Sequence, residues 1–147
     1  MTAREGGHLD FIGAKAAFFH AGRLLTYLRD DSPDLPWPAM WDLPGGRREG
    51  GETPEDCLLR EMDEEFGLRL PPDRLTYRRD WPSMAGGPQS GVFFAGHLRA
   101  HEIAAIRFGT EGQNWQMMET EAFLSHPRAI PALVARVQAV LRLPDFG

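Results

Sequence analysis

Cysteine is almost absent from this 147-residue sequence, in which Cys57 is the only thiol. A single cysteine cannot form an internal disulfide, and this composition predicts a reducing, cytoplasmic setting. No apolar run approaches the roughly 20 residues that cross a bilayer, so we expect no membrane partner. The first ten residues, MTAREGGHLD, also lack the apolar region of a secretory signal.

Positive charge is also scarce. The formal net charge is -5, and Lys15 is the only lysine. A surface of that sign does not attract nucleic acid, so we expect no nucleic-acid partner. What is present is an ordinary globular composition, 42% apolar and 25% charged. It predicts one domain spanning residues 1–147, as a monomer or a homodimer.

The pattern of apolar runs and turn residues predicts mostly strands and two long helices. Ala21-Gly22 and Pro44-Gly45-Gly46 are turn signals, and DDSPDLPWP is a proline-rich loop. The strands are predicted at residues 10–20, 23–29, 39–44, 74–81, 90–100 and 113–118. Helices are predicted at 53–66 and at 130–143. This order of elements indicates an α+β fold or an α/β sandwich with a mixed sheet.

The first predicted helix has clear end signals. Thr53 is a good N-cap, Asp56 completes a capping-box pattern, and Gly67 suits a left-handed C-terminal cap. Its apolar stripe, predicted to face the core, consists of Leu58, Leu59, Met62 and Phe66. The opposite face is predicted to carry Arg60, Glu61, Glu64 and Glu65.

Like charges three and four residues apart destabilise a helix by a few tenths of a kcal/mol each. Two interpretations of this acidic face are open. One is a solvated charged surface. The other is a site for hard divalent cations such as Mg²⁺ and Mn²⁺, which prefer carboxylate oxygens.

The residues before the acidic face favour the second interpretation. From Gly46 to Leu68 the chain reads GRREGGETPEDCLLREMDEEFGL, which fits the pattern G-x5-E-x7-R-E-U-x-E-E-x-G-U at every specified position, where U is bulky and aliphatic. The sequence therefore resembles the Nudix hydrolases. This resemblance implies a three-layer α/β/α sandwich with a mixed sheet and a catalytic loop–helix–loop, here called the box. It also implies Mg²⁺- or Mn²⁺-dependent cleavage of a small-molecule nucleotide, a nucleoside diphosphate linked to another group.

The resemblance implies a role for each glutamate of the motif. Glu64 and Glu65 match the metal-binding pair, and Glu61 matches a third acid that is a metal ligand or the base that activates water. Glu52 precedes the helix and can reach the same metals. Outside the box, Glu111 lies in GTEGQNW, which resembles a segment of the MutT-type branch where a glutamate adds a metal ligand or a base.

The remaining candidates orient carboxylates or bind substrate. Arg60 can hold a carboxylate through a charge-assisted hydrogen bond, and Gly46 lets its carbonyl approach a metal closely. Trp41, Trp37 and Phe11 can stack on a base, although Trp41 fits a core position equally well. The arginines considered for phosphate contact are Arg23, Arg29 and Arg47.

Two stretches, WDLPGG and TEGQ, favour the MutT type, which hydrolyses nucleoside triphosphates to the monophosphate and pyrophosphate. The stretch HPRAIPAL lacks the asparagine with which that type reads an oxidised guanine. We therefore expect at most about tenfold preference among bases. ADP-ribose or another nucleoside diphosphate derivative remains an alternative. Two other classes are weaker alternatives. A non-catalytic binding module typically loses box carboxylates, and this chain keeps them all. An isomerase on this fold would need additional metal ligands, commonly His and Cys, whereas Cys57 lies inside the box helix.

Overall fold

The computed structural model describes residues 10–147. The start of the predicted domain and the expectation about a secretory signal concern residues 1–9, which lie outside this range. The described strands are β1 (Gly13–His20), β2 (Arg23–Leu28), β3 (Trp41–Asp42), β4 (Gly45–Arg47), β5 (Tyr77–Pro82), β6 (Ser90–His97) and β7 (Asn114–Glu119). The described helices are α1 (Pro54–Phe66), α2 (Ala100–Ala104), α3 (Thr120–Ser125) and α4 (Pro131–Leu141), with a 3₁₀ turn at Pro72–Arg74.

The strands form one mixed sheet with the path β3-β2-β1-β6-β5, and β4 pairs with β1 while β7 pairs with β2. The β1–β6 pair is parallel and the other pairs are antiparallel. The predicted hairpin between β1 and β2 is present. Ala21 and Gly22 both have positive φ, 49° and 77°, which matches the twist of a tight hairpin.

Helices cover both faces of the sheet. On one face, α1 buries Leu58, Met62 and Phe66 in a core shared with β1, β2 and β6. On the other face, α4 buries Leu133 and Val137 in a second core. The predicted three-layer α/β/α arrangement is therefore confirmed. Within residues 10–147, no helix is long and apolar enough to cross a membrane.

The ends of α1 agree with the sequence signals. The Thr53 hydroxyl accepts a hydrogen bond from the Asp56 backbone N–H at 3.1 Å, which satisfies one of the unpaired donors of the first turn. Gly67 adopts the left-handed conformation, with φ 67°. Its N–H bonds the Asp63 carbonyl at 2.9 Å. These caps place the box glutamates in a fixed register.

Two local predictions were wrong, and one short helix was missed. The turn predicted at Pro44-Gly45-Gly46 contains the start of β4, where Gly45 pairs with Lys15 in β1. The strand predicted to reach residue 100 ends at His97, and helix α2 follows. Helix α3 was not predicted. Helices of five and six residues, such as α2 and α3, are too short to show a helical apolar period.

Candidate active site

A cavity of about 470 Å³ opens where β1 and β6 begin, beside β4 and the box helix α1. Its wall brings together residues from distant parts of the chain. Gly46 is on this wall, and the charged and polar residues there are Lys15, Tyr27, Arg29, Asp42, Arg47, Glu49, Glu61, Glu65, Ser83, Glu111 and Arg136. Seven of the predicted site residues therefore share one cavity: Gly46, Glu61, Glu65, Glu111, Arg29, Arg47 and Trp37.

Glu65 is buried, with 7% of its surface exposed, and its predicted place opposite the apolar stripe of α1 was wrong. It lies at the border of the apolar stripe, next to Phe66, and points under β4. There the Gly45 N–H donates a hydrogen bond to Oε1 of Glu65 at 3.0 Å. Burial raises the pKa of Glu65 to about 8, and the charges of Glu61 and Asp42 add to this rise.

Glu61 is partly buried and lies against β4. A methyl group at Gly46 would overlap the Glu61 carboxylate, so this close approach requires glycine. Burial raises the pKa of Glu61, and the charges of Glu64 and Glu111 raise it further, against the opposing effects of Arg60 and Lys15. The cavity therefore holds two box carboxylates whose charged forms are disfavoured by burial and by the neighbouring acids.

Arg60 binds carboxylates at the outer side of the box. Its Nε donates to Glu52 at 2.7 Å, and one terminal nitrogen donates to Glu64 at 3.0 Å. The other terminal nitrogen donates to the Arg47 carbonyl at 3.0 Å. The hydrogen bond from Arg60 is the main cause of the lowered pKa of Glu52. Glu52, Arg60 and Glu64 do not line the cavity, and the Glu64 side chain is 57% exposed.

Asp42 is a site residue that the sequence analysis missed. It is 1% exposed, and its carboxylate receives hydrogen bonds from Lys15 at 3.1 Å, Tyr27 at 2.9 Å and Arg29 at 2.9 Å. Lys15 also donates to the Gly45 carbonyl at 3.3 Å. This network fixes the segment that presents the Gly45 N–H to Glu65. The only lysine of the chain, placed inside an apolar strand, was the available signal.

The substrate-binding candidates separate into two groups. Arg47 is exposed on the cavity wall, and Trp37 forms part of the same wall. Arg29 also lines it, but its guanidinium is bound to Asp42 and to the Pro36 carbonyl. The other three candidates do not line it, and Phe11 is buried in the core that α1 covers. Arg23 faces Glu119 at 3.9 Å, and the Trp41 ring packs edge-on against His126.

The donor chemistry of the wall fits a hard divalent cation. Glu61, Glu65 and Glu111 offer carboxylate oxygens, and Gly46 leaves room beside its carbonyl. Among the described residues, no three His, Cys, Asp or Glu side chains already converge as a ready metal site. Glu64 is exposed and lies about one helical turn from Glu61, on the side of the box that Arg60 binds.

Fold and site together define an α/β/α sandwich whose carboxylates cluster on a loop–helix–loop at the edge of a mixed sheet. A family model described as the NUDIX domain matches residues 20–135. The chain therefore belongs to the Nudix family.

Similar proteins agree with this assignment. A MutT-like protein of Streptomyces ambofaciens is 46% identical over 55 residues, which are 37% of this chain and only 32% of that relative. An RNA pyrophosphohydrolase of Gluconobacter oxydans is 29% identical over 157 aligned positions, covering 86% of each chain. The crystal structure of a MutT protein from Methanosarcina mazei superposes with a TM-score of 0.72 at 18% identity, covering 90% of this chain and 94% of that one. That likeness shows the fold alone.

Proposed function

We propose that this chain is a metal-dependent pyrophosphohydrolase that cleaves the diphosphate linkage of a nucleoside diphosphate bound to another moiety. The first candidate substrate is a nucleoside or deoxynucleoside triphosphate, which gives the monophosphate and pyrophosphate. The observation that carries the proposal is the complete carboxylate motif, with Glu61 and Glu65 on the wall of a nucleotide-sized cavity. Membership of the Nudix family supports it.

Glu61, Glu64, Glu65 and the Gly46 carbonyl would hold Mg²⁺ or Mn²⁺. When bound, such an ion supplies the positive charge that a diphosphate requires and acidifies a water molecule. Glu61 or Glu111, both on the cavity wall, accepts the proton of the attacking water. The leaving group departs with its phosphate.

The cations around the cavity have different roles in this proposal. Arg47 lies on the wall, and the structure gives its side chain no ion pair within residues 10–147, so it is the arginine available to phosphate oxygens. Lys15 and Arg29 hold Asp42 instead. Arg60 anchors Glu52 and Glu64, and it releases Glu64 when that carboxylate turns inward.

The test is a hydrolysis screen with Mg²⁺ or Mn²⁺ over the four dNTPs, ADP-ribose and NADH, with products separated by chromatography. We expect pyrophosphate and monophosphate from dNTPs. Glu61→Gln should reduce kcat/KM at least a hundredfold, whereas Glu121→Gln, an exposed position in α3, should not change it. Absence of hydrolysis across the whole panel, with metal present and the protein folded, contradicts the proposal. A hundredfold preference for ADP-ribose selects the alternative substrate class.

A second candidate is the 5′-triphosphate end of RNA, because the relative that matches over 86% of both chains is an RNA pyrophosphohydrolase. The net charge of -5 opposes it, since long polyanions bind through many basic contacts. A triphosphorylated oligonucleotide should therefore be a poorer substrate than a free nucleotide. Its kcat/KM, measured across salt concentrations, decides between the two. Faster turnover of the oligonucleotide, with a steep loss at high salt, favours RNA.

A further inference from the structure

An arginine with almost no exposed surface lies on the same cavity wall as the carboxylates. Arg136 belongs to α4 and is 4% exposed. It falls on the apolar face of that helix, between Leu133 and Val140, which are both fully buried. Helical spacing places such positions in the core, where an arginine is rare unless it is paired. The position of this charge therefore requires an explanation beyond packing.

Arg136 lacks the counter-charge that other buried polar groups have. Asp42 is bound by Lys15 and Arg29, but within residues 10–147 no carboxylate lies at ion-pair distance from Arg136. One terminal nitrogen donates to the Pro82 carbonyl at 2.8 Å. A guanidinium has five N–H donors, so most of them lack an acceptor. Burial lowers the pKa of Arg136 to about 10, and the group remains protonated at neutral pH.

The surroundings of this guanidinium are mainly aromatic, and the Pro82 carbonyl is the one acceptor that the described residues give it. It lies 5.7 Å from the ring centre of Trp81 and 5.9 Å from that of Phe93. The Trp81 indole N–H is itself buried without a hydrogen-bond partner in the described structure. A group that completes this site must bring acceptors. Trp37, Met84 and Val92 form apolar parts of the cavity wall, which suit a flat ring better than a strongly hydrated phosphate.

We propose that Arg136 is a specificity-determining residue that binds the O6 and N7 acceptors of a 6-oxopurine, as in guanine or hypoxanthine. The proposal rests on the proposed function, which places the phosphates of the same nucleotide at the carboxylates. Two adjacent acceptors match the fork of a guanidinium. Adenine presents an amino donor beside N7, and oxidation of guanine at C8 places a proton on N7. Both bases therefore lose one of the two hydrogen bonds.

Two other polar side chains, those of Arg128 and Gln113, have partners away from the cavity. Arg128 donates to the carbonyls of Pro38 and Ala39 at 2.9 and 2.8 Å, and the Gln113 amide donates to the Arg29 carbonyl at 2.9 Å. Both tie loops together and do not line the cavity. On this wall, Arg136 therefore offers donors beside the apolar residues Trp37, Met84 and Val92, while Arg47 is assigned to the phosphates.

The test compares Arg136→Gln and Arg136→Lys with Arg142→Gln, a control at the exposed end of the same helix. Equilibrium dissociation constants are measured with Mg²⁺ for dGTP, dITP and dATP analogues that carry an imido bridge between the α and β phosphorus atoms. We expect wild type to bind the two 6-oxopurines roughly tenfold more tightly than dATP. Arg136→Gln should abolish or reverse this preference, because dGTP and dITP lose the bidentate contact whereas a glutamine amide can pair with N6 and N7 of adenine. Arg136→Lys should retain part of the preference. Arg142→Gln should match wild type.

The same variants are then assayed for turnover of the natural nucleotides. A specificity role raises KM for dGTP and dITP relative to that for dATP and leaves kcat nearly unchanged. Equal weakening of all three nucleotides, or no preference in wild type, overturns the proposal and leaves Arg136 as a packing residue. If Arg136→Gln does not fold, the selectivity of wild type and Arg136→Lys decides. Selective binding of 6-oxopurines without hydrolysis of any nucleotide refutes the proposed function but not this inference.

Discussion

The backbone N–H of Gly45 donates a 3.0 Å hydrogen bond to the buried carboxylate of Glu65. This contact joins β4 to the box helix and holds an acidic group that is only 7% exposed. Lys15 fixes the position of Gly45 by donating a hydrogen bond to its carbonyl at 3.3 Å. The carboxylate is nevertheless only partly compensated, because burial still raises the pKa of Glu65 to about 8. The raised pKa of this buried carboxylate has measurable consequences for stability.

The metal-free protein should lose stability as the pH rises from 5 to 9. The folded-state pKa of Glu65 is about 8, against an ordinary value near 4.3. The folded protein therefore binds a proton that the unfolded chain releases, and the stabilisation is lost as the pH rises through 8. Each pKa unit corresponds to about 1.4 kcal/mol.

Urea unfolding of chelated protein at several pH values measures this effect. Glu65→Gln keeps an acceptor for the Gly45 N–H, so its stability should depend less on pH and should equal or exceed that of wild type above pH 7. Glu64→Gln, at an exposed neighbouring position, is the control. A marked loss of stability in metal-free Glu65→Gln would show that the carboxylate serves mainly to hold the fold.

Asp42 should contribute strongly to stability. It compensates Lys15 and Arg29 at 3.0 and 2.9 Å while itself almost fully buried, and removing one partner of a buried charge network typically costs about 3–5 kcal/mol. We therefore expect Asp42→Ala to lower the free energy of unfolding by roughly that amount. Asp63→Ala is the matched control, because Asp63 pairs with Arg69 in an exposed position where such pairs contribute about 0–1 kcal/mol. Similar losses for both variants contradict the role of Asp42.

The local signals that the sequence carries are those of the box and its helix. Thr53 and Gly67 cap α1 as predicted, because caps depend on the residue itself and its nearest neighbours. The apolar stripe of Leu58, Met62 and Phe66 is likewise buried. These features follow from helical geometry alone, so no knowledge of the tertiary structure was needed to predict them.

Features that depend on contacts between residues distant in the sequence were not predictable in this way. Glu65 is next to Phe66, a residue of the apolar stripe, but it is buried because β4 packs over it and the Gly45 N–H binds its carboxylate. Asp42 and Lys15 are 27 residues apart, so their pairing appears only in the folded sheet. Arg136 interrupts an apolar helical face, which was a visible signal, but its missing counter-charge is a property of the packed structure.

The two glycines of β4 should respond differently to substitution by alanine. At Gly45, φ is +126° and a Cβ would collide with the backbone of Ala14 and Lys15, so Gly45→Ala should destabilise the fold by more than about 2 kcal/mol. At Gly46 the colliding group is the Glu61 carboxylate, which can rotate away. Gly46→Ala should therefore reduce activity much more than stability. Thermal melting and kcat/KM of both variants measure the difference, and equal stability losses contradict it.

Divalent metal should stabilise the protein through the box carboxylates. A ligand at ten times its dissociation constant adds about 1.4 kcal/mol, which corresponds to roughly 3–5 °C in Tm for a chain of this size. Weak, partly hydrated carboxylate sites predict saturation at millimolar Mg²⁺ or micromolar Mn²⁺, as orders of magnitude. Glu61→Gln should remove most of the Tm increase, and Glu121→Gln should keep it. An equal increase in both variants places the metal elsewhere.

The most direct measurement of the central claim is the product pattern of dGTP turnover with Mg²⁺, followed by ³¹P NMR for wild type, Glu61→Gln and Glu65→Gln. Wild type should release dGMP and pyrophosphate in equal amounts, and excess chelator should stop the reaction. Both variants should lose at least a hundredfold in rate while remaining folded. Full turnover by the variants, or by wild type with verified absence of metal, contradicts a reaction that depends on the box carboxylates.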